Sequence, residues 1–205
     1  MKQENFDWST YINKFSEHFS AFTSLPPWLL TSKAIEIVTE GLSSLSSDYS
    51  IQDGVAIHKT VILESNVTLK APAVIGPNCF IAANCYLRGG VFLFSDNSIG
   101  PGCEIKSSII FPNSNLAHFN FIGDSIIGSG VNFEAGSITA NHFNERVNKE
   151  IFVLINGGRL DTHVQKFGAL VGDGSKIGAN AVLSPGTILP PLSIVKRLEL
   201  VDQSK

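Results

Sequence analysis

In the run Ile75-Gly76-Pro77-Asn78-Cys79-Phe80-Ile81-Ala82-Ala83-Asn84-Cys85-Tyr86-Leu87, aliphatic residues stand six apart, and the spacing extends in both directions. Ile57, Leu63, Leu69, Ile75, Ile81, Leu87, Leu93, Ile99 and Ile105 recur every six residues without a miss. Four residues after each ladder position comes mostly a small or β-branched residue: Val61, Val67, Ala73, Cys79, Cys85, Val91, Asn97, Cys103. A hexapeptide period of this kind is the signature of a parallel β-helix. Each six residues form one short strand and a turn, three strands make a triangular coil, and stacked coils bury what no single repeat can bury. The residue after the ladder position is Gly at 76, 100, 123, 128, 172 and 178, which suits a tight corner. All three cysteines fall in the small-residue slot, so wall packing is their expected role rather than redox or nucleophilic chemistry.

The fold class expected is all-β, a parallel β-helix with a short N-terminal α-helical segment and an extruded hairpin loop. Hexapeptide proteins of this pattern coil left-handedly, against the usual right-handed crossover rule. After Ile105 the phase slips: 105 to 110 and 122 to 127 are five-residue steps, while Ile110, Leu116 and Ile122 keep six. Shortened steps should dent the prism, and His118 is expected in the dented region. Residues 141–168 leave the ladder, and 151–160 read as a hairpin around Asn156-Gly157-Gly158. The repeat resumes at Val171, Ile177 and Leu183, and Pro190-Pro191 closes the coil.

Two divisions follow, a helical segment over 1–50 and a β-helix domain over 51–205. Residues 5–24 place Phe6, Trp8, Tyr11, Ile12, Phe15, Phe19 and Phe22 at helical spacing, and a second helix starts near Pro27 or Trp28 and runs toward Leu42. These helices are expected to cap the end of the coil, or else to dock a partner chain. A composition of 16% charged residues with 18 Gly and 9 Pro fits turn-rich β architecture, and a net charge of -3 offers no case for nucleic acid. Neither a signal pattern nor an apolar run long enough to span a bilayer is evident, so a cytoplasmic protein is expected.

Residues eighteen apart should stack vertically at about 4.8 Å. Lys70, Arg88 and Lys106 have that spacing and each follows a ladder residue, which predicts a column of cations on one outer edge. Like charges so close repel unless an anion or carboxylates neutralise them. That leaves a phosphate-bearing ligand or a solvated basic edge. Glu104 precedes His118 by about one shortened coil, and a carboxylate beside a histidine can fix its tautomer for acid/base work.

The strings Leu87-Arg88-Gly89-Gly90, Gly102-Cys103-Glu104-Ile105-Lys106-Ser107, Ala117-His118-Phe119-Asn120-Phe121-Ile122-Gly123-Asp124 and Val131-Asn132-Phe133-Glu134-Ala135-Gly136-Ser137-Ile138-Thr139-Ala140-Asn141 resemble a known domain. It is the left-handed β-helix acyltransferase domain of bifunctional N-acetylglucosamine-1-phosphate uridyltransferase/glucosamine-1-phosphate acetyltransferase. They are similar also to the C-terminal domains of related sugar-1-phosphate nucleotidylyltransferases. The match runs without a gap from Arg88 to Asn141, with repeat-level similarity over about 55–190. The resemblance implies an N-acetyltransferase taking an amino sugar phosphate such as glucosamine 1-phosphate, with acetyl-CoA as co-substrate, in a homotrimer. By the same resemblance His118 is the general base and Glu104 its orienting carboxylate. Arg88 and Lys106 hold the sugar phosphate, Phe121, Asn132 and Asn141 lie at the sugar, and Ala135 lines the acetyl-CoA path.

The chain departs from the pattern in three places. Phe121 stands where the bifunctional enzyme has tyrosine, and His142-Phe143-Asn144 replaces an Asn-Tyr-Asp-Gly run. Beyond these, Lys166-Phe167-Gly168-Ala169 is closer to the nucleotidylyltransferase branch. Arg146 and Lys149 are both candidates for the basic residue expected after Asn141. Residues 1–50 hold no Gly-rich phosphate loop, so uridyltransfer is not expected. A non-catalytic sugar-nucleotide-binding or assembly module is the alternative. A zinc site of the carbonic anhydrase kind would need clustered histidines, whereas His18, His58, His118, His142 and His163 are scattered; no metal is expected.

Overall fold

The computed structural model describes residues 6–155 and 157–204. The readings made for 1–5 and for Asn156 at the hairpin tip lie outside the described residues. The chain forms a left-handed parallel β-helix whose interior is the hexapeptide ladder. Ile75, Ile81, Leu87, Leu93, Ile99 and Ile105 are fully buried in one cluster that also takes up Cys79, Cys85 and Cys103. The cysteines are packing residues, as their slot predicts. Their thiols lie against corner carbonyls, Cys79 Sγ at 2.9 Å from the Phe94 oxygen and Cys85 Sγ at 3.1 Å from that of Gly100. Burial disfavours the thiolate and pushes both Cys79 and Cys103 up to about 11.

Each coil has three faces, and strand register shows what each presents outward. On the first face the outward row is Ala56, Val74, Phe92, Ile109, Ile126, Leu170 and Ile188, apolar from end to end. The second face carries Ile62, Phe80, Ser98, Asn115, Asn132, Lys176 and Ile194. Thr68, Tyr86, Glu104, Phe121, Ile138, Val182 and Leu200 make the row on the third.

The first face explains the helices. They do not cap the end of the coil: they lie along this face and bury its apolar row in cis. A continuous helix over 5–24 does not form either. Trp8–Thr10 is a 3-10 turn held by Asp7, whose carboxylate accepts from the Ser9 and Thr10 hydroxyls, and Phe15–His18 (α1) is a single turn. Aromatic packing dictates this path: Trp8 stacks on Phe15 with ring centroids 3.7 Å apart, and Phe15 and Phe19 reach Phe92, Phe94 and Phe111 of the coil. Pro26 halts the segment and Pro27 opens the helix Pro27–Ser32 (α2), where the missing N–H costs nothing. Ala34–Leu42 (α3) follows and buries Ile37 and Val38. Strands Phe152–Ile155 and Gly158–Asp161 form the expected antiparallel hairpin, and Ile151, Val153 and Phe167 of this excursion join the same cluster as the helices. No described helix is long and apolar enough to cross a membrane.

Gly90 is where α3 and coil touch. Its φ is +86°, and a Cβ there would lie 2.6 Å from the Ala34 carbonyl carbon and the Ile35 nitrogen. Gly90→Ala should therefore lower unfolding stability by about 2 kcal/mol or more, through a left-handed backbone and a collision with helix backbone; urea denaturation followed by tryptophan fluorescence reads it. The thiols give a second check. With pKa values near 11, native Cys79 and Cys103 should not react with a thiol reagent at pH 8, because the thiolate fraction is only ~0.001. Labelling should rise as pH climbs toward 11 or when the chain is unfolded.

Candidate functional site

All the irregularities of the repeat lie at one corner, where the third face turns into the first. Here the strand Tyr86–Leu93 has a bulge between Arg88 and Val91, and here the 141–168 excursion departs. Both five-residue steps are here too. Ser107 and Asp124 turn these shortened corners at φ +48° and +46°. Ser108 and Ser125 make the short step workable. The Ser108 hydroxyl donates to the Lys106 carbonyl at 2.7 Å and accepts from Ser125 N–H, and Ser125 repeats the pattern with Gly123 and Ala169 one coil on. Among the described residues no fully buried side-chain polar atom lacks a partner.

The predicted column of cations exists. Arg88 and Lys106 are register partners, and Leu69, just before Lys70, pairs with Leu87. Carboxylates neutralise two of the three. Arg88 donates from Nε and Nη2 to Glu104 Oε1 at 2.8 and 2.7 Å, and its guanidinium lies 5.7 Å from the Tyr86 ring centre. Lys106 Nζ donates to Asp124 Oδ2 at 2.6 Å, and Asn141 Nδ2 donates to the same oxygen. Asn141 Oδ1 in turn meets His142 Nδ1 at 3.1 Å. Lys70 is exposed, with no side-chain partner among the described residues. Asp124 escaped the sequence reading, although extending the column one more step of eighteen from Lys106 reaches it.

The two ion pairs differ in what they cost to open. Arg88 and Glu104 are each about a third exposed, so their pairing is worth only ~0–1 kcal/mol, and the guanidinium is free to turn to an incoming anion. Lys106 and Asp124 have side chains 16% and 8% exposed. Their attraction offsets a desolvation penalty of several kcal/mol, so neither gives up the other without loss.

His118 is elsewhere. It lies in the regular six-residue step between Leu116 and Ile122, at the corner joining the second and third faces, and not in the dented region. The side chain is exposed and, among the described residues, makes no hydrogen bond or ion pair. Glu104, read as its orienting carboxylate, stacks in register with Phe121 and is occupied by Arg88. Glu134, on the next coil of the His118 corner, is taken as well: Arg197 donates to both of its oxygens at 2.7 Å and holds its carboxyl below the ordinary range. Ala135 shares the His118 corner, since Gly136 N–H donates to the His118 carbonyl at 2.8 Å. Phe119 next door is 71% exposed and lies over Gly102, whose missing Cβ makes the room. Asn132 lies outward on the second face.

The candidate residues therefore form two groups. Arg88, Lys106 and Asn141 hold one corner and His118 and Ala135 the other. The third face, with Glu104 and Phe121 in its outward row, lies between them.

Residues 48–194 match the family described as the GMPPB C-terminal domain. Among curated proteins the chain is similar to bifunctional protein GlmU of Methanococcus maripaludis (strain C5), 37% identical over 183 residues that cover 86% of this chain and 43% of that protein. It is similar also to a bifunctional sugar-1-phosphate nucleotidylyltransferase/acetyltransferase of Sulfurisphaera tokodaii, 34% identical over 151 residues, 73% of this chain and 37% of that one. The chain thus spans less than half the length of these relatives. Among solved structures, a putative acetyltransferase of Bacillus cereus aligns over 70% of each chain with a TM-score of 0.40 and 14% identity.

The Lys106–Asp124 pair can be tested directly. Asp124→Asn keeps a residue that tolerates the left-handed corner but strands the ammonium, and should cost about 3 kcal/mol in urea unfolding. Adding Lys106→Met should recover most of that loss, whereas two independent contributions would simply add.

Proposed function

The chain belongs to the family of GMPPB C-terminal domains, and from that membership we propose that it is an acetyl-CoA-dependent N-acetyltransferase of an amino sugar phosphate, with glucosamine 1-phosphate as the first acceptor to try. The observation that carries the proposal is the pair of corners: stacked cations on one, an exposed and unpartnered histidine on the other, with an accessible apolar row between them. Tyr86, Phe121, Ile138, Val182 and Leu200 of that row are exposed or only half-buried, unlike the row under the helices. A second copy laid on this face would cover it and bring a further corner to each site, and a closed ring of three copies uses every such face once.

In this reading the acceptor phosphate is held by Arg88, released from Glu104, with Lys70 beside it. Lys106 fixes the field of the corner while remaining bound to Asp124. His118 Nδ1 or Nε2 takes the proton as the neutral amine attacks the thioester carbonyl. The tetrahedral oxyanion then collapses, the carbon–sulfur bond breaks, and the CoA sulfur leaves with a proton returned from the imidazolium. The rate is supplied by aligning the two reactants and by stabilising the oxyanion, more than by the strength of the base. Phe121 removes a hydroxyl contact from the sugar and leaves an aromatic surface in its place.

A second reading has a specific observation in its favour. Both Arg88 and Lys106 are already neutralised within the chain, as the column of a non-catalytic binding or assembly module would be.

Acetyl transfer from acetyl-CoA to glucosamine 1-phosphate separates the two. The parent protein should turn over, and His118→Ala should lower kcat by about 100-fold or more with little change in KM. Unchanged turnover in His118→Ala removes the base assignment. An inert parent protein that still binds the sugar phosphate establishes the module.

A further inference from the structure

A cleft of about 440 Å³ opens between the α2–α3 turn, the basic corner and the end of the extruded loop. Its walls bring together pieces far apart in sequence: Ala34 and Ile35 from the helices, Ser107 and Asp124 from the shortened corners, Gln165 and Lys166 from the loop. It lies on the far side of the third face from His118, and no histidine lines it.

The hydrogen-bonding state of these groups indicates what the cleft takes. The hydroxyls of Thr31 and Ser32, also at its edge, are used up on the Trp28 and Leu29 carbonyls. Four other groups are not. Among the described residues the Ser107 hydroxyl, the Gln165 amide and the Lys166 ammonium make no side-chain hydrogen bond. Both printed partners of the Asp124 carboxylate, Lys106 and Asn141, fall on Oδ2, so Oδ1 keeps its acceptor capacity. The carboxylate is also held still by those two donors, which makes it a pre-organised acceptor. A carboxylate, a hydroxyl and an amide around a small cavity match the alternating donors and acceptors of a hexose, Lys166 at the rim matches an anionic substituent, and Ile35 and Ala34 offer an apolar floor for a sugar ring.

We propose that this cleft is a second site, distinct from the one at His118, that binds a sugar phosphate without reacting it: Asp124, Ser107 and Gln165 take the ring hydroxyls and Lys166 the phosphate. A ligand there touches helix, coil and loop at once, so its occupancy ties the N-terminal segment to the basic corner.

The probe is glucose 1-phosphate, which has no amine to acetylate, titrated calorimetrically into the full chain. Ile35→Trp fills the cleft and Lys166→Glu reverses its rim charge. Ile35 is 56% exposed and Lys166 is exposed, so neither touches a core. Each variant should weaken binding at least tenfold, whereas Arg88→Ala should leave this binding in place and inorganic phosphate should bind at least tenfold more weakly than the sugar phosphate. Binding lost in Arg88→Ala but kept in Ile35→Trp and Lys166→Glu would assign it to the acceptor site and overturn the proposal. Equal affinity for inorganic phosphate would overturn recognition of the sugar by Asp124. Neither outcome depends on whether the protein transfers acetyl groups.

Discussion

Vertical stacking is the constraint on which this molecule depends. Once the ladder side chains fill the prism, every coil lies directly over the last, and each outward residue meets its counterpart from the neighbouring coils about one strand spacing away. Outward rows are thus collective. A row is apolar, polar or charged along its length, and whatever covers, neutralises or binds it must act on several coils together.

The three faces show three results of that rule. The first has a continuous apolar row, and the protein's own helices and loop cover it; the aromatic residues of the N-terminal segment follow from Phe92, Phe94 and Phe111 beneath them. The third has a partly apolar row left accessible between two chemically distinct corners. At the basic corner the same stacking that would set Arg88 against Lys106 supplies the remedy, because Glu104 and Asp124 are carried in on the same periodicity. One pair is exposed and loosely held, the other buried and fixed. That contrast turns a column of like charges into a mobile cation beside a rigid one.

The departures from the repeat are confined as well. A corner can lose a residue only if something replaces the backbone hydrogen bonds the residue supplied, and the hydroxyls of Ser108 and Ser125 do this. Shortening then lets Ser107 and Asp124 turn left-handed and leaves room for the helices to close in at Gly90. The basic corner is therefore the one place where coil, helix and loop meet.

Much of this was legible in residues six and eighteen apart. Ile57 through Ile105 determined the β-helix, the slot of Cys79, Cys85 and Cys103 determined their packing role, and Lys70, Arg88 and Lys106 determined the column, because period is a local property that stacking preserves. The outward row Ala56, Val74, Phe92 was readable by the same arithmetic and would have placed the helices along a face instead of at the end. Only the tertiary structure decided the rest. That Glu104 answers Arg88 and not His118, that His118 stands a face away from the dented corner, and that Ile35 and Lys166 share a cleft with Asp124 are matters of which corner each turn occupies. A one-residue step moves a side chain to a different side of the prism without altering the hydrophobic pattern, so no reading of the pattern could assign it.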